Sequence, residues 1–141
     1  MDYKQRVSES FNRQGFMNFI GAKLEKIELG DCEIIVPFSE NLTQQHGFFH
    51  AGVVATVADN VAGYSAFSLM DSTSSILTVE FKINLVAPAK GDFLIGKAKV
   101  IKQGKTLTIC QSEVFAGDRE NPKLCAVAQV TLMELRNRED Q

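Results

Sequence analysis

Asp59 is the residue whose chemistry is most conspicuous in this chain. It is the only Asp, Glu, Lys or Arg between residues 47 and 70, a stretch that is otherwise apolar or neutral. An ionised carboxylate in an apolar setting is costly unless it is paired, hydrogen-bonded or shifted in pKa. Carboxylates kept in such places are candidates for acid, base or nucleophilic chemistry. A structural role, in which Asp59 bonds a nearby backbone or hydroxyl group, is the alternative that composition alone leaves open.

A second candidate group lies at the start of the same stretch, where Gly47, His50 and Gly52 could meet a ligand. If a helix begins near His50, the amides of Ala51 and Gly52 are among its first, unpaired N–H groups. With the helix dipole behind them, these amides could stabilise an oxyanion. The small residues would also let a ligand carbonyl approach the backbone closely.

The spacing between the two groups predicts a dimer. Asp59 follows Ala51 by eight positions, which at 1.5 Å rise per residue is about 12 Å along a helix. A nucleophile must lie about 3 Å from the carbon that it attacks, so these groups cannot serve one ester within one subunit. Two such helices running antiparallel across a two-fold axis would bring Asp59 of one chain to Ala51 of the other.

Other combinations of these residues are open at this point. His46 and His50 are four positions apart and could join Asp59 on a metal, but no further ligand cluster accompanies them, so we predict no metal. His50 could also pair with Asp59 in acid–base chemistry or serve a structural role at the helix start. Residues 102–106, KQGKT, are typical of a hairpin turn with solvated lysines, which would matter only for a phosphorylated ligand.

Composition excludes several classes of function. Fifteen basic and seventeen acidic residues give a formal charge of −2 and a pI near 5.7, which argues against nucleic acid. Residues 52–70 are as long as a membrane span but contain Asp59 and Asn60, so we predict a buried helix and no membrane. The three cysteines favour buried, reduced thiols. Since residues 1–16 lack an apolar signal-peptide core, we expect a cytoplasmic protein.

The hydrophobic pattern predicts the order helix, two strands, long apolar helix, four strands. The short N-terminal helix over 2–14 rests on Tyr3, Val7 and Phe11, and Gly15 should end it. In the first strand after the long helix, Val79, Phe81, Ile83 and Leu85 alternate with polar residues, which indicates a half-buried strand. The predicted strands cover residues 22–28, 32–37, 78–85, 92–102, 106–116 and 123–135.

This order predicts an α+β fold with helix on one face of an antiparallel sheet. The long helix is apolar nearly all round, and one face of a sheet cannot bury all of it. A second body must cover the rest, and the simplest is another copy of the chain.

Two segments resemble the hotdog-fold acyl-CoA thioesterases of the PaaI type. Residues 47–59, GFFHAGVVATVAD, are similar to the family pattern G-x-x-H-G-G followed by an Asp. Residues 79–91, VEFKINLVAPAKG, are similar to the family strand that ends in P-A-x-x-G, and the likeness spans about residues 20–135. It implies a hotdog fold: a long central helix wrapped by a curved antiparallel sheet, after a short N-terminal helix. A single domain would then comprise an N-terminal helix (1–18), a hotdog core (19–135) and a polar tail (136–141).

The resemblance also implies roles for individual residues. Asp59 matches the catalytic carboxylate, as nucleophile or as general base, and the Ala51 amide matches the oxyanion donor. His50 would support this turn, Gln44 would lie near the thioester carbonyl, and Thr78 would orient water. Ala51 replaces the first Gly of the pattern, which keeps the amide but adds a methyl beside the carbonyl path. Further substrate contacts are expected at Gly47, Gly52 and Asn60, with CoA phosphates near Lys90, Lys102 and Lys105.

The implied activity is hydrolysis of an acyl-CoA or aroyl-CoA thioester to acid and free CoA, without metal or redox cofactor. The implied assembly is a homodimer, itself paired into a homotetramer. One alternative is a non-catalytic module that binds acyl-CoA. Another is a hotdog hydratase or dehydratase that uses His50 with Asp59, although such relatives space the His and the acid differently.

Overall fold

The computed structural model of the protein describes residues 2–140, so Met1 and Gln141 of the predicted domain lie outside the described residues. Residues 2–140 form three helices and six strands. The helices are α1 (Tyr3–Asn12), α2 (Gly15–Phe19) and α3 (Ala51–Phe67), with a 3-10 turn at Glu40–Leu42. The strands are β1 (Lys23–Glu28), β2 (Asp31–Pro37), β3 (Ser75–Leu85), β4 (Phe93–Gln103), β5 (Leu107–Gly117) and β6 (Lys123–Leu135).

The six strands form one antiparallel sheet in the order β1-β2-β4-β5-β6-β3, and α3 packs against one face of it. This is the predicted α+β architecture. The order makes β1 and β3 the two edge strands of the sheet. A strand at an edge has unpaired backbone groups on its outer side, so β1 and β3 are the strands at which another chain could pair with the sheet.

The N-terminal segment contains two helices and not one. Gly15, which we predicted to end the helix, is the first residue of α2, and Gln14 precedes it in an extended conformation. Val7 of α1 and Met17 of α2 are fully buried. The Arg6 guanidinium donates to the carbonyl oxygen of Met70 at 2.8 Å. It thereby satisfies a carbonyl just beyond the end of α3 and ties the N-terminal helices to the central one.

Helix α3 packs closely against the sheet at Gly96 of β4. A Cβ atom at Gly96 would lie 2.4 Å from Cγ1 of Val57, so only glycine fits there. Two buried serines link the helix to the sheet. Ser112 Oγ donates to the Ala58 carbonyl at 2.7 Å, and Ser65 Oγ accepts the Cys32 N–H at 3.1 Å. These two buried hydroxyls are therefore hydrogen-bonded where the helix packs on the sheet.

The prediction of a buried apolar helix is confirmed, with one strip left partly uncovered. Ten residues of α3 are buried, among them Val57, Val61 and Phe67. The half-exposed positions follow one side of the helix in turn: Ala55, Thr56, Asp59, Asn60 and Gly63. Within residues 2–140, no helix is both long enough and apolar enough to cross a membrane.

Strand β3 differs from the predicted strict alternation because it contains a β-bulge at Val79. Thr78 pairs with Leu132, but the next pair joins Glu80 to Thr131. The extra residue shifts the alternation of side chains by one position. A residue before the bulge and one after it that strict alternation would place on opposite faces of the sheet therefore lie on the same face. Strict alternation would have put Thr78 on the face opposite Phe81. The bulge puts both on the face that packs toward α3.

The prediction that β3 is half-buried is wrong for this chain by itself. Val79 is 48% exposed, Phe81 43% and Leu85 55%. The reason is position in the sheet, because β3 is an edge strand and nothing in residues 2–140 covers its outer side. We expect an apolar strand exposed in this way to be covered by another protein chain.

The three cysteines agree with the prediction of buried thiols. Cys32, Cys110 and Cys125 are unpaired, buried and carried on β2, β5 and β6. Burial raises the pKa of the Cys32 and Cys125 thiols to about 11, and that of Cys110 to about 12. They are packing residues, not nucleophiles.

Candidate active site

Asp59 and Thr78 form the first cluster of the candidate site. Asp59 is half-buried on α3, and Thr78 Oγ1 on β3 donates to its Oδ1 at 2.7 Å. Burial raises the pKa of the Asp59 carboxyl, and the hydrogen bond from Thr78 opposes this with a smaller lowering effect. Desolvation makes a carboxylate more basic and more reactive than one in water. Such a group can accept a proton or attack a carbonyl carbon.

The contact between these two residues depends on the bulge at Val79. Thr78 pairs with the buried Leu132, so its side chain points to the same face as Leu132, toward α3. Without the extra residue, Thr78 and Phe81 could not both face the helix. In the sequence analysis, Thr78 was placed near Asp59 only through the family resemblance. The alternation of apolar and polar residues along a strand gives no clear sign of a β-bulge.

A cavity of about 360 Å³ lies beside Asp59. A chain of hydrogen bonds runs along its wall: Asn60 Nδ2 donates to Gln14 Oε1 at 2.8 Å, and Gln14 Nε2 donates to the Tyr64 hydroxyl at 2.6 Å. That hydroxyl lies 3.0 Å from Ser10 Oγ. Sequence analysis did not find Ser10, Gln14 and Tyr64, because they come together only through tertiary packing.

The side-chain amide of Asn60 is satisfied only at its nitrogen, which donates to Gln14. Its Oδ1 is buried and accepts no hydrogen bond from residues 2–140. A buried carbonyl oxygen without a donor is costly, and in a native structure such an atom calls for an explanation. Its place beside Asp59 marks this wall of the cavity as a candidate for ligand contact.

The second cluster is the start of α3. His50 is the N-cap residue, and its Nδ1 accepts the Gly52 N–H at 2.8 Å. The expectation that both amides are free is therefore wrong for Gly52, whose N–H is taken by the imidazole. The Ala51 N–H donates to no acceptor within residues 2–140. Since His50 accepts at Nδ1, its neutral ring carries the proton on Nε2.

Gly52 gives the imidazole of His50 the space that it needs. A Cβ atom at Gly52 would lie 3.0 Å from His50 Nδ1. Glycine therefore lets the imidazole ring pack over the start of α3, where it accepts the Gly52 N–H. The result is a helix N-terminus with one free, exposed N–H at Ala51.

Gln44 lies in the loop before α3, and backbone groups of that loop hold its side chain. Its Oε1 accepts from the backbone N–H groups of His46 and Phe48, and Gly47 closes the turn at a φ of +83°. The Gln44 Nε2 donates to no acceptor within residues 2–140. Because the amide oxygen is tied to the loop, the amide nitrogen is the atom left for a ligand. Gly47 serves the turn that makes this arrangement possible.

Gln44 and Ala51 border the same cavity, which has a volume of about 530 Å³. Its walls are largely apolar and come from the loop, from α3 and from the end of β3. They are Gln44, Phe48, Phe49, Ala51, Val54, Leu85, Val86, Ala87, Pro88, Ala89 and Cys125. Lys90 directly follows this wall in the chain. The apolar surface with an amide donor at Ala51 fits the acyl or thioester part of a ligand better than a charged group.

The three lysines proposed for phosphate contacts do not lie together within one chain. Lys90 precedes β4, at the end of the sheet where Phe93 pairs with Gly117. Lys102 and Lys105 are at the opposite end, in the β4–β5 hairpin. His46 is exposed. In the described part of the chain, no three His, Cys, Asp or Glu side chains come close enough to share a metal ion.

The two clusters are separate in one chain. The cavity beside Asp59 and the cavity beside Ala51 share no residue. The first adjoins the start of β3 at Ile76 and Thr78, and the second adjoins its end at Leu85. A carboxylate at one place and an oxyanion donor at another cannot act on one carbonyl within this chain.

Comparison with known proteins decides the family. Residues 46–123, more than half of the chain, match the model of the thioesterase superfamily. The chain belongs to the thioesterase superfamily. A relative in Saccharolobus solfataricus, provisionally named an esterase, is 35% identical to this thioesterase over 86% of the chain and 79% of its own length. Acyl-coenzyme A thioesterase 13 of Pongo abelii is 34% identical over 54% of the chain and 53% of its own length.

Solved structures agree with this family. A thioesterase family protein from Silicibacter pomeroyi has a TM-score of 0.93 to this thioesterase at 42% identity, covering 95% of this chain and 98% of that one. The Escherichia coli PaaI protein from the phenylacetic acid degradation operon has a TM-score of 0.84 at 17% identity, covering 94% and 93%. The predicted hotdog fold, the thioesterase family and the enzyme class of thioester hydrolase are confirmed.

Proposed function

We propose that this thioesterase hydrolyses acyl-CoA or aroyl-CoA thioesters to the free acid and CoA, in active sites that are each built by two chains. The observation that carries the proposal is the division of the site within one chain. The Asp59 carboxylate with its Thr78 donor borders one cavity, and the free Ala51 N–H borders another. The name of the Pongo abelii relative supports CoA esters as the substrate class.

The two edges of the sheet support β3 as the surface for a second chain. Edge β1 carries Lys23, Glu25, Lys26 and Glu28, the charged pattern that blocks strand pairing. Edge β3 instead exposes apolar side chains over a length of eleven residues. Pairing of β3 with β3 of a second copy would satisfy its open backbone groups and cover these side chains. Closed two-fold symmetry is the commonest arrangement for such an interface.

Antiparallel pairing of the two β3 strands would join the two clusters. The start of β3 in one chain would lie beside the end of β3 in the other. Thr78 and Asp59 belong to the start, whereas Leu85 and Ala51 belong to the end. Each active site would then combine Asp59 of one chain with Ala51 of its partner, as the 12 Å helical spacing requires.

The chemistry follows from these groups. The Ala51 N–H and the Gln44 Nε2 would donate to the thioester carbonyl oxygen and stabilise its negative charge as it becomes tetrahedral. Asp59 of the partner would either attack the carbonyl carbon or take a proton from the water that does so. The C–S bond then breaks and the CoA thiolate leaves. Attack by Asp59 gives a mixed anhydride that a water molecule hydrolyses, so both routes add one water to the thioester.

Thr78 and His50 would position the reacting groups. The hydrogen bond from Thr78 fixes Oδ1 of Asp59, so Oδ2 is the oxygen left to react. His50 engages the Gly52 N–H, which leaves the neighbouring Ala51 N–H for the substrate. Gly52 and Gly47 act through backbone geometry at this turn, and Asn60 lies beside the acid.

Basic residues from both chains would receive the phosphates of CoA. In the antiparallel dimer, the β4–β5 hairpin of one chain lies toward the Ala51 end of the other. Lys90 of one chain and Lys102 and Lys105 of its partner would then face the same region. Cationic side chains on a flexible stem suit phosphate groups that extend into solvent.

A second apolar surface supports pairing of dimers into a tetramer. Leu77, Met133 and Leu107 are directly paired across β3, β6 and β5, on the sheet face away from α3. Leu77 is 55% exposed and Leu107 43%. Contiguous exposed apolar residues are typical of a binding surface. The buried thiols are consistent with a reducing compartment, and we propose the cytoplasm.

The direct test is a panel of acyl-CoAs and aroyl-CoAs with a thiol-detecting reagent. Wild-type protein should release CoA, and Asp59→Asn should lose about 100-fold or more of kcat, the usual contribution of a positioned base. Asp71→Asn, which changes an exposed Asp in the same way, should keep wild-type turnover. Wild-type turnover by Asp59→Asn would refute the role of Asp59. Tight binding of acyl-CoA without turnover by wild type would instead support a binding module.

A further inference from the structure

Asp59 also borders a second cavity, of about 340 Å³, which extends toward the start of α3. The cavity described above extends instead toward the end of that helix, at Tyr64. We call the second one the Phe16 cavity. Within residues 2–140 no lining residue other than Asp59 carries a charge. The lining comes from α3, from β3, and from α2 with the residue before it: Gln14, Phe16, Met17, Ala55, Thr56, Asp59, Asn60 and Phe81.

The ring of Phe16 lies between this cavity and solvent. Phe16 lines the cavity and is 56% exposed, so one part of it faces the cavity and another part faces water. Phe19, three residues further along α2, is 78% exposed and is not part of the lining. The two rings belong to the same short helix, but only that of Phe16 covers the surroundings of Asp59.

Helix α2 holds Phe16 in a fixed place. Met17 is fully buried, and Ile20, the C-cap of the helix, is 4% exposed, so both anchor α2 in the core. Asn60 Nδ2 donates to Gln14 Oε1 at 2.8 Å and ties the residue before α2 to α3. The ring of Phe16 is therefore carried by a segment that is attached to the protein at both ends.

The opposite wall of the cavity lies on the edge strand β3. Phe81 is 43% exposed and stands one residue beyond the middle of this strand, Ser75–Leu85. Antiparallel pairing of two β3 strands would bring the second chain alongside Phe81 and cover it. Phe16 on one side and the second chain on the other would then enclose the cavity next to Asp59.

Charged side chains do not explain the raised pKa of the Asp59 carboxyl, for which burial is the larger cause. Arg13 and Asp140 border the cavity near Tyr64, but they pair with each other at 2.7 Å. On β3, Glu80 and Lys82 flank a residue that faces α3, so they lie on the other face of the sheet. Helix α3 contains no further Asp, Glu, Lys or Arg. Removal of water by apolar groups is what remains.

We propose that Phe16 is a positioning residue for the thioesterase reaction, whose ring keeps bulk water away from the Asp59 carboxylate and so keeps that group reactive. This rests on the proposed function, in which Asp59 acts as base or nucleophile. A carboxylate with less water around it is a stronger base than a hydrated one. Phe16 itself makes no contact that changes during bond breaking.

The first test is the pH dependence of kcat/KM for acyl-CoA hydrolysis by Phe16→Ala. Loss of the ring lets water reach Asp59 and lowers its pKa, so the acidic limb should move to lower pH. At the plateau, kcat/KM should fall about fivefold, a fraction of what a positioned base contributes. Phe16→Leu keeps an apolar side chain and should restore most of both. A limb that stays in place, or moves to higher pH, in Phe16→Ala would overturn the inference.

Phe19→Ala is the matched control, because it makes the same change on the same helix away from the cavity. It should keep the limb and the plateau of wild type. Equal changes in the two variants would also count against the inference, since they would indicate a general effect on α2. If Phe16→Ala does not fold, Phe16→Gln carries the same test, because it keeps much of the bulk and replaces the ring with a polar group.

A measurement that does not depend on turnover separates this inference from the proposed function. NMR titration of the Asp carboxyl carbons gives the pKa of Asp59 directly, with Asp59→Asn identifying its signal. The pKa should be lower in Phe16→Ala than in wild type, and unchanged in Phe19→Ala. If wild type hydrolyses no ester, the proposed function fails and this titration alone decides whether Phe16 shields the acid. Equal pKa values in wild type and Phe16→Ala would show that it does not.

Discussion

Thr78 Oγ1 donates a 2.7 Å hydrogen bond to Oδ1 of Asp59, and a β-bulge one residue further along the strand makes this contact possible. The bond joins an edge strand to the central helix at the only Asp, Glu, Lys or Arg of that helix. Burial raises the pKa of Asp59, and the Thr78 hydrogen bond partly reverses the effect. The two residues therefore set the acidity of the candidate base together.

The first prediction concerns pH. Asp59 must be ionised to act, so kcat/KM should rise with pH through its pKa, which burial raises above that of an ordinary Asp. Thr78→Val removes a donor that lowers this pKa, and the acidic limb should move to higher pH. Thr73→Val, at an exposed threonine, should leave the limb in place. An acidic limb that moves to lower pH in Thr78→Val would contradict the assignment.

The second prediction separates a functional Asp59 from a structural one. Because burial raises its folded-state pKa, ionised Asp59 destabilises the fold at neutral pH, and the cost disappears as pH falls through that pKa. Asp59→Asn should thus be as stable as wild type, or more stable, in urea denaturation at pH 7. The advantage should shrink toward low pH. A clear loss of stability at pH 7 would indicate that Asp59 is held for structure.

The third prediction tests sharing of the site between chains. Ala51→Pro removes the N–H that we assign to the oxyanion, and proline is well accepted at the first position of a helix. His50 already has the extended backbone, with ψ of 140°, that a following proline requires. Asp59→Asn and Ala51→Pro should each be inactive.

Mixing and refolding these two variants together should restore activity. Mixed dimers contain one site with both Asp59 and the Ala51 amide, so an equal mixture should reach about one quarter of wild-type activity. Mixing Asp59→Asn with itself is the control. If Asp59 served its own chain, every site would stay defective and no activity would return.

The fourth prediction concerns the packing that positions α3. Gly96→Ala would place a methyl 2.4 Å from Cγ1 of Val57, and overpacking of this kind costs about 1–3 kcal/mol. Urea denaturation should show the loss. Gly15→Ala is the matched control, because nothing lies within 4 Å of the added methyl. Equal stability of Gly96→Ala and wild type would mean that the helix can move away without penalty.

Much of the fold could be predicted from periodicity. The alternation and turn residues placed every strand to within a few residues, and the apolar run placed α3. What periodicity could not show was the second helix at Gly15, because five residues are too few to display a helical repeat. Periodicity also could not show the bulge at Val79. The bulge determines the face of the sheet on which Thr78 lies, but no residue type in the strand marks it.

The candidate site was predictable in part for a similar reason. Asp59 is conspicuous as a single charge in an apolar run, and the helix start follows from His50. The loss of the Gly52 amide to the imidazole was not predictable, since it depends on a side-chain rotamer. Ser10, Gln14 and Tyr64 come together through tertiary packing of α1 and α2 on α3, to which no local sequence pattern points.

The separation of the two cavities has a consequence for product release. If the acyl group occupies the cavity of one chain and CoA the cavity of the other, the boundary between chains runs through the bond that is cut. Hydrolysis then leaves the acid on one chain and the thiol on its partner. A slight parting of the two chains would loosen both products at once, so the mobility of the dimer interface could set the turnover rate.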